Sequence, residues 1–144
     1  MKRRLVVEAD GGPLGITLAG TNRHDTKLLA ETLEAIVVER PKPTTERPQH
    51  LCLDKGYDNP TGHETVAAYQ SIPHIRRISE EKVDPQGQTT SPARRWVVER
   101  TMAWLSICRG LLVRYEKQAI NFLGLLQLAC ALLWMWRRAR LIGD

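Results

Sequence analysis

Residues 51–58 have the sequence Leu-Cys-Leu-Asp-Lys-Gly-Tyr-Asp, and this stretch indicates the fold most clearly. Its apolar first three residues are typical of a short, buried central strand. Asp54 follows that strand directly, and Gly56 lies in the turn. Ligand sites in open α/β sheets lie at the carboxyl ends of strands, so Asp54 is a candidate site residue. The alternative is that Asp54 only caps the turn or pairs with Lys55.

The chain before this stretch predicts a β-hairpin followed by a helix. Residues 5–7 and 14–19 have strand character, and the Asp-Gly-Gly-Pro sequence at 10–13 is a dense turn signal. The helix that follows has apolar residues at the spacing of one buried face, capped by Asp25 or Thr26. These apolar residues are Leu29, Leu33, Ile36 and Val37. Prolines at 41 and 43 are expected to stop this helix.

The chain after this stretch alternates helices and strands. Asn59 and Pro60 together predict a helix start, with Asn59 as the cap and Pro60 at the first helical position. The later elements are a strand at 72–78, a polar loop at 79–91, a helix from Arg94 to about Cys108 with Gly110 at its end, and a last helix over roughly residues 119–140. The element order predicts a mixed α/β architecture in a single domain covering residues 1–144.

The charge distribution favours a polyanionic partner. The formal net charge is +5, and the basic residues are clustered at the two ends and around residues 94–117. Such clusters suit a polyanion, because neutralised phosphates release counterions, although a solvated basic surface is equally compatible with the charge alone. The three cysteines contain no CxxC pair, which argues against a zinc site and favours small buried side chains in a reducing cytosol.

One stretch has the composition of a membrane span. Residues 119–136 are largely apolar, but Asn121, Gly124 and Gln127 interrupt them, and the stretch is barely long enough. We therefore predict a buried helix and no membrane partner. The four tryptophans fall at helical spacing, which favours core positions over stacking on nucleic-acid bases. They are Trp96, Trp104, Trp134 and Trp136.

Glu99 is the second candidate site residue. It is an acid inside a basic, aromatic helix, and Arg95 lies one turn earlier, so an Arg95–Glu99 surface ion pair is the alternative explanation. If Asp54 and Glu99 converge, their oxygens suit Mg²⁺ or Mn²⁺. A pair of such ions can activate an attacking hydroxyl and stabilise the leaving oxygen of a phosphodiester. His24 precedes Asp25, but no serine or cysteine near them has the setting of a nucleophile.

Four blocks, in order, resemble the C-terminal part of the catalytic domain of DDE-type insertion-sequence transposases. The blocks are Lys2 to Val7 with Gly12-Pro13-Leu14, Thr21 to Asp25, Leu53 to Asp58, and Arg95 to Thr101 continuing to Glu116. The resemblance implies a ribonuclease-H-like mixed sheet with flanking helices. It also implies metal-dependent cleavage of the element's 3′ ends and transfer of the freed 3′ hydroxyl to target DNA, by an oligomer in the cytoplasm, associated with the nucleoid.

The resemblance also assigns roles to individual residues. Asp54 matches the second catalytic Asp, Glu99 matches the catalytic Glu, and both are expected to bind Mg²⁺ or Mn²⁺. Phosphate contacts are expected from the basic residues near them. These are Lys55, Arg94, Arg95, Arg100, Arg109 and Arg114. This chain differs from the family at two positions. The family's Tyr corresponds to Pro92, and its Lys corresponds to Ser106. Arg109 is the expected substitute for that Lys.

The start of the chain departs from the family. The family's first catalytic Asp lies upstream of the Lys2-Arg3-Arg4 block, on a strand between the second and fourth strands of the sheet. Asp10 lies in the hairpin turn and Glu8 is on the wrong strand, so neither replaces it. We therefore expect a sheet that lacks its first strand and a transposase that is incomplete in this chain. Three explanations fit: the second half of a frameshifted gene, a remnant of a decayed element, or a mis-called start within an intact gene. The expected protein partners are further copies of the chain or an upstream half of the transposase. The alternative is a non-catalytic DNA-binding or inhibitory fragment.

Overall fold

The computed structural model describes residues 1–23, 25–75 and 95–142, and within these ranges it leaves out the side chains of residues 25–27, 95, 141 and 142. The elements, in chain order, are β1 (Lys2–Val7), β2 (Pro13–Ala19), α1 (Asp25–Glu34), β3 (Gln49–Leu53), α2 (Pro60–Ala68), β4 (Ser71–Ile75), α3 (Arg95–Ile107), α4 (Arg109–Leu112) and α5 (Ala119–Ile142). A 3₁₀ turn at Lys55–Tyr57 follows β3. This order confirms the predicted mixed α/β class.

The strands form two separate pairs. β1 and β2 make an antiparallel hairpin whose register runs from Lys2 opposite Ala19 to Leu5 opposite Ile16, with a shift after Val6. β3 and β4 are parallel, with α2 as the crossover that a parallel pair requires. Among the described residues, no backbone pairing joins the two sheets. The expected single ribonuclease-H-like sheet therefore stays a prediction.

The hairpin separates two hydrophobic clusters, because successive strand side chains point to opposite faces. Leu5 packs on the cluster formed with α3, α4 and α5, whose buried members are Ile16, Leu105, Leu111, Phe122, Leu126 and Ala129. Val6 packs on the other cluster, which contains Leu29, Leu33 and Val66 together with Leu51 and Leu53 of β3. Side chains from α1 and β3 thus meet the same face of the hairpin.

Local signals located α2 and its cap correctly. The Asn59 side chain accepts a hydrogen bond from the Gly62 backbone N–H at 2.9 Å, and Pro60 occupies the first helical turn. The strand predicted at 72–78 is present as β4 up to Ile75, while residues 76–78 and the loop at 79–91 lie outside the described residues. His24 lies outside them as well.

Several predictions of burial and helix ends are wrong. Helix α1 ends at Glu34, before the prolines, so Val37 is not on its buried face and is 86% exposed. Cys52 is exposed, because alternate side chains of β3 face away from the second cluster. Cys108 and Cys130 are half-buried. Helix α3 ends at Ile107, and Gly110 lies inside α4 instead of ending α3.

The last helix is buried along one stripe only. Phe122, Leu126, Ala129 and Leu133 pack into the molecule, but large apolar side chains on its other faces are exposed. The segment Ala119–Arg140 is long and apolar enough to cross a membrane, and only 22% of its most apolar window is buried. The prediction of a buried helix is therefore correct for one face and wrong for the rest.

Candidate functional site

Asp54 lies where the sequence pattern indicated, immediately after the last residue of β3. It caps the 3₁₀ turn, and its carboxylate oxygen Oδ1 accepts a hydrogen bond from the Lys55 backbone N–H at 2.9 Å. The side chain is exposed. The capping role considered as an alternative is therefore present, and it leaves the carboxylate at the surface of the carboxyl end of the strand.

Glu99 is exposed in the first half of α3. Its suggested ion pair with Arg95 lies outside the described side chains. The helix packs against β1, and β1 in turn reaches the turn after Asp54, because the Arg4 guanidinium donates a hydrogen bond to the Tyr57 hydroxyl. Strand β1 is therefore the element that connects the two candidate carboxylates.

The described residues contain no group of three or more His, Cys, Asp or Glu side chains arranged to hold a metal ion. The chain supplies two exposed carboxylates, Asp54 and Glu99, as donors for a hard cation. Carboxylate oxygens are the donors that Mg²⁺ and Mn²⁺ prefer, so the donor chemistry fits such an ion. Convergence of the two carboxylates on one ion stays a prediction.

The residues predicted to bind DNA have different surroundings. Lys55 and Arg109 are exposed at the surface, and Arg94 lies outside the described residues, as does the side chain of Arg95. Arg114 stabilises the loop before α5, because its guanidinium donates hydrogen bonds to the carbonyls of Glu116 and Lys117 at 2.8 and 2.9 Å. It also lies over the Phe122 ring, which indicates a structural contribution.

Arg100 joins α3 to the hairpin turn. Its guanidinium donates to the Asp10 carbonyl at 2.6 Å and lies over the Trp96 ring, 4.8 Å from the centroid. The next residue, Thr101, donates to the Gly11 carbonyl at 2.7 Å and is buried. Helix α3 therefore satisfies two carbonyls of the turn, which fixes the helix that carries Glu99 relative to β1.

Helix α5 also forms hydrogen bonds with the hairpin turn. The Trp134 indole N–H donates to the Pro13 carbonyl at 2.7 Å, and the Arg137 guanidinium donates to the Asp10 carbonyl at 2.8 Å. Gly12 allows this close approach, because a Cβ there would overlap two carbons of the Trp134 ring, one of them 2.6 Å away. Gly11 has a φ of +91°, a conformation that glycine adopts without steric cost.

A groove of about 1490 Å³, open to solvent, lies between the hairpin turn, α3 and α5. We call it the Arg–Trp groove. Its main side chains are Arg100, Trp104, Trp134, Trp136, Arg138 and Arg140. The assignment of the tryptophans to the core is wrong for Trp96 and Trp136, which are 55% and 50% exposed, whereas half-buried Trp104 packs against the first hydrophobic cluster. Arginines stacked on their rings stabilise these exposed positions, and sequence spacing alone gave no sign of that stacking.

Comparison with known proteins identifies the family. A family model described as "Transposase DDE domain" matches residues 1–134. The chain belongs to the DDE transposase family. It is also 32% identical over 141 residues to a Burkholderia cepacia protein named "Putative transposase for insertion sequence element IS402", which confirms the resemblance to insertion-sequence transposases. The match covers 96% of this chain and 64% of that relative's length. No solved structure matches the chain.

Proposed function

We propose that this chain is part of a DNA transposase that cleaves and joins DNA strands at the ends of an insertion sequence in the bacterial cytoplasm, in association with the nucleoid. The observation that carries the proposal is the position of Asp54, exposed at the carboxyl end of β3 and coupled through Tyr57 and β1 to the helix of Glu99. Membership of the DDE transposase family supports DNA as the substrate.

Asp54 and Glu99 are the residues that would hold Mg²⁺ or Mn²⁺ in this proposal. The ion would activate the attacking hydroxyl and stabilise the leaving oxygen of the phosphodiester. Lys55 and Arg109 are exposed cations that would bind phosphates and orient the strand without reading its sequence. Arg100 would act mainly by positioning α3, since its guanidinium already binds the Asp10 carbonyl.

We propose further that the catalytic site is completed by a segment or subunit that supplies another carboxylate. Two observations support this. The chain spans 64% of the length of its relative, and the described strands form two separate pairs with no backbone pairing between them. Val6 of β1 and Leu51 of β3 pack in the same cluster, so the two pairs lie on one hydrophobic layer that a further strand could extend into a single sheet.

The alternative function is a non-catalytic fragment that binds DNA or joins an active transposase and inhibits it. The small set of candidate ligands favours it: among the described residues no third His, Cys, Asp or Glu joins a metal-binding group, and a hard cation held by few carboxylates is bound weakly. In cells that carry an active element, extra copies of this chain would then lower the transposition frequency. Asp54→Ala would leave that inhibition unchanged if it arises from binding, whereas loss of inhibition would argue against this alternative.

A nicking assay tests the proposed activity. Purified chain is incubated with labelled duplex carrying the element's ends, in Mg²⁺ or in Mn²⁺, and we expect no cleavage. The same chain joined to the part of the Burkholderia cepacia relative that lies outside the matched region is expected to nick, and Asp54→Ala or Glu99→Ala should abolish nicking. Cleavage by the chain alone, lost in Asp54→Ala, would refute incompleteness. Cleavage by the extended protein that survives both substitutions would refute the catalytic assignment.

The exposed face of α5 supports self-association as the form in which the protein acts. Leu125, Leu128, Leu132 and Met135 are exposed and follow the three-and-four spacing of a coiled-coil seam. A second copy of the same helix would fit this seam and remove it from water. We propose a homo-oligomer assembled through this face, as pairing of two transposon ends requires.

A further inference from the structure

The Arg–Trp groove lies outside the pair of carboxylates proposed for catalysis, but it adjoins Glu99. Arg100, which lines the groove, is the next residue along α3, and Trp96 lies one turn before Glu99 with its ring under the Arg100 guanidinium. A ligand in the groove would therefore lie beside the helix that carries the predicted catalytic Glu.

The groove has fixed walls. Four hydrogen bonds from α3 and α5 hold the carbonyls of the hairpin turn, and two glycines in that turn allow the helices to approach it closely. Arg137 also lies 3.9 Å from the Glu8 carboxylate. Because these hydrogen bonds hold α3 and α5 against the hairpin turn, the groove has its shape before a ligand binds.

The rim of the groove carries aromatic and cationic side chains that remain accessible. Trp136 is 50% exposed and has the Arg140 guanidinium over its ring, 4.4 Å from the centroid. Arg138, which also lines the groove, is exposed. A half-exposed indole can accept a flat base by stacking, and the guanidiniums near it can bind the phosphates on either side of that base.

The charge of the groove lining points to a polyanion as its ligand. Four arginines line it against two acids, Glu8 and Asp10. One carbonyl of Asp10 is already bound by two of those arginines, so the positive charge at the rim belongs mainly to Arg138 and Arg140.

From these observations we infer that the Arg–Trp groove binds a DNA strand with unpaired bases, and that Trp136 stacks on one of those bases. The inference rests on the proposed function for the choice of DNA as the polymer. It adds that the protein engages an unpaired segment of its substrate next to the strand to be cut. Duplex DNA keeps its bases stacked on each other, so it cannot use the indole in this way.

Three oligonucleotides separate stacking from charge. The probes are a short oligothymidylate, an abasic oligonucleotide of equal length with the same phosphates, and a duplex of that length, all without divalent metal and at fixed salt. We expect the oligothymidylate to bind at least about fivefold more tightly than the abasic strand, with quenching of tryptophan fluorescence. Trp136→Ala should weaken oligothymidylate binding by about 5- to 100-fold and leave abasic binding within about twofold.

Matched variants keep the test independent of folding. Trp136→Phe retains a ring and should restore oligothymidylate binding to within about threefold of the unmodified chain. Arg138→Ala should weaken both single strands, whereas Arg47→Ala removes the same charge from an exposed loop away from the groove and should weaken neither. Circular dichroism of each variant establishes that the helices are intact.

Three results would overturn the inference. The first is equal binding of the oligothymidylate and the abasic strand. The second is an equal loss of both in Trp136→Ala. The third is loss of binding to vesicles of phosphatidylglycerol and phosphatidylcholine in Trp136→Ala while oligonucleotide binding is unchanged, which would assign Trp136 to a membrane surface. Because no metal is present, failure of the nicking assay would leave these measurements unaffected, and their failure would leave the proposed catalysis intact.

Discussion

Replacement of Gly12 by alanine tests whether the hairpin turn packs against α5 as the structure describes. The added Cβ would lie 2.6 Å from one carbon of the Trp134 ring, closer still to another, and 2.7 Å from the Glu8 carboxylate. Real Cβ atoms do not approach neighbours so closely, so the indole or the turn must move. That movement also strains the hydrogen bond from the Trp134 indole to the Pro13 carbonyl.

Overpacking of this kind costs about 1–3 kcal/mol. With a urea m-value of about 2 kcal/mol/M for a domain of this size, Gly12→Ala should lower the unfolding midpoint by roughly 0.5–1.5 M. Gly124→Ala is the matched control, because Gly124 is an exposed helical residue and its Cβ would meet nothing within 4 Å. Helix propensity predicts that this control raises the free energy of unfolding by about 0.5–1 kcal/mol.

Both variants are measured by urea unfolding followed by circular dichroism at 222 nm and by tryptophan fluorescence. Gly12→Ala should lower the free energy of unfolding, and Gly124→Ala should raise it. A Gly12→Ala chain as stable as the original would show that the turn does not contact Trp134 closely, and the walls of the Arg–Trp groove would then need another description.

Three further predictions follow. Asn59→Ala should lower the free energy of unfolding by about 1 kcal/mol in urea denaturation, since it removes the cap of α2, and an unchanged midpoint would show that the cap contributes nothing. Leu132→Lys should dissociate the proposed oligomer in sedimentation velocity, because it introduces a charge into the α5 seam. Leu112→Lys, at another exposed site, should leave the oligomer intact. Equal sedimentation coefficients for the two variants would exclude the α5 seam as the interface. Burial raises the pKa of the Cys130 thiol from 9.0 to about 11, so between these pH values the folded protein keeps the proton that the unfolded chain releases. Near pH 8.5 the folded Cys130 should therefore alkylate about 100-fold more slowly than in urea, while exposed Cys52 changes far less, and equal rates in both states would contradict that burial.

Local chemistry accounts for what the sequence predicted correctly. The Asp-Gly-Gly-Pro turn placed the hairpin, because only the flanking residues must pair to form it. Asn59 and Pro60 placed the start of α2, because a cap bond and a fixed φ act within one turn of the chain. Asp54 was located by its position directly after a strand. Each of these features depends on residues close together in sequence.

Predictions that depended on distant neighbours were less successful. The predicted burial of Cys52 is wrong because it lies on the exposed face of β3, and the core assignment of Trp136 is wrong because Arg140 stabilises the exposed ring. The hydrogen bonds from α3 and α5 to the hairpin turn join residues about 90 to 127 positions apart. No local pattern could predict which carbonyl Arg100 and Arg137 share.

The most direct test of the proposed catalytic pair is Mn²⁺ binding, followed by electron paramagnetic resonance of the free ion, in a double-mutant cycle of Asp54→Asn and Glu99→Gln. If both carboxylates hold the same ion, each single substitution weakens binding by at least about tenfold, and the double variant binds no more weakly than either single one. Unchanged Mn²⁺ binding in the double variant, or losses that simply add, would show that Asp54 and Glu99 do not form one metal site.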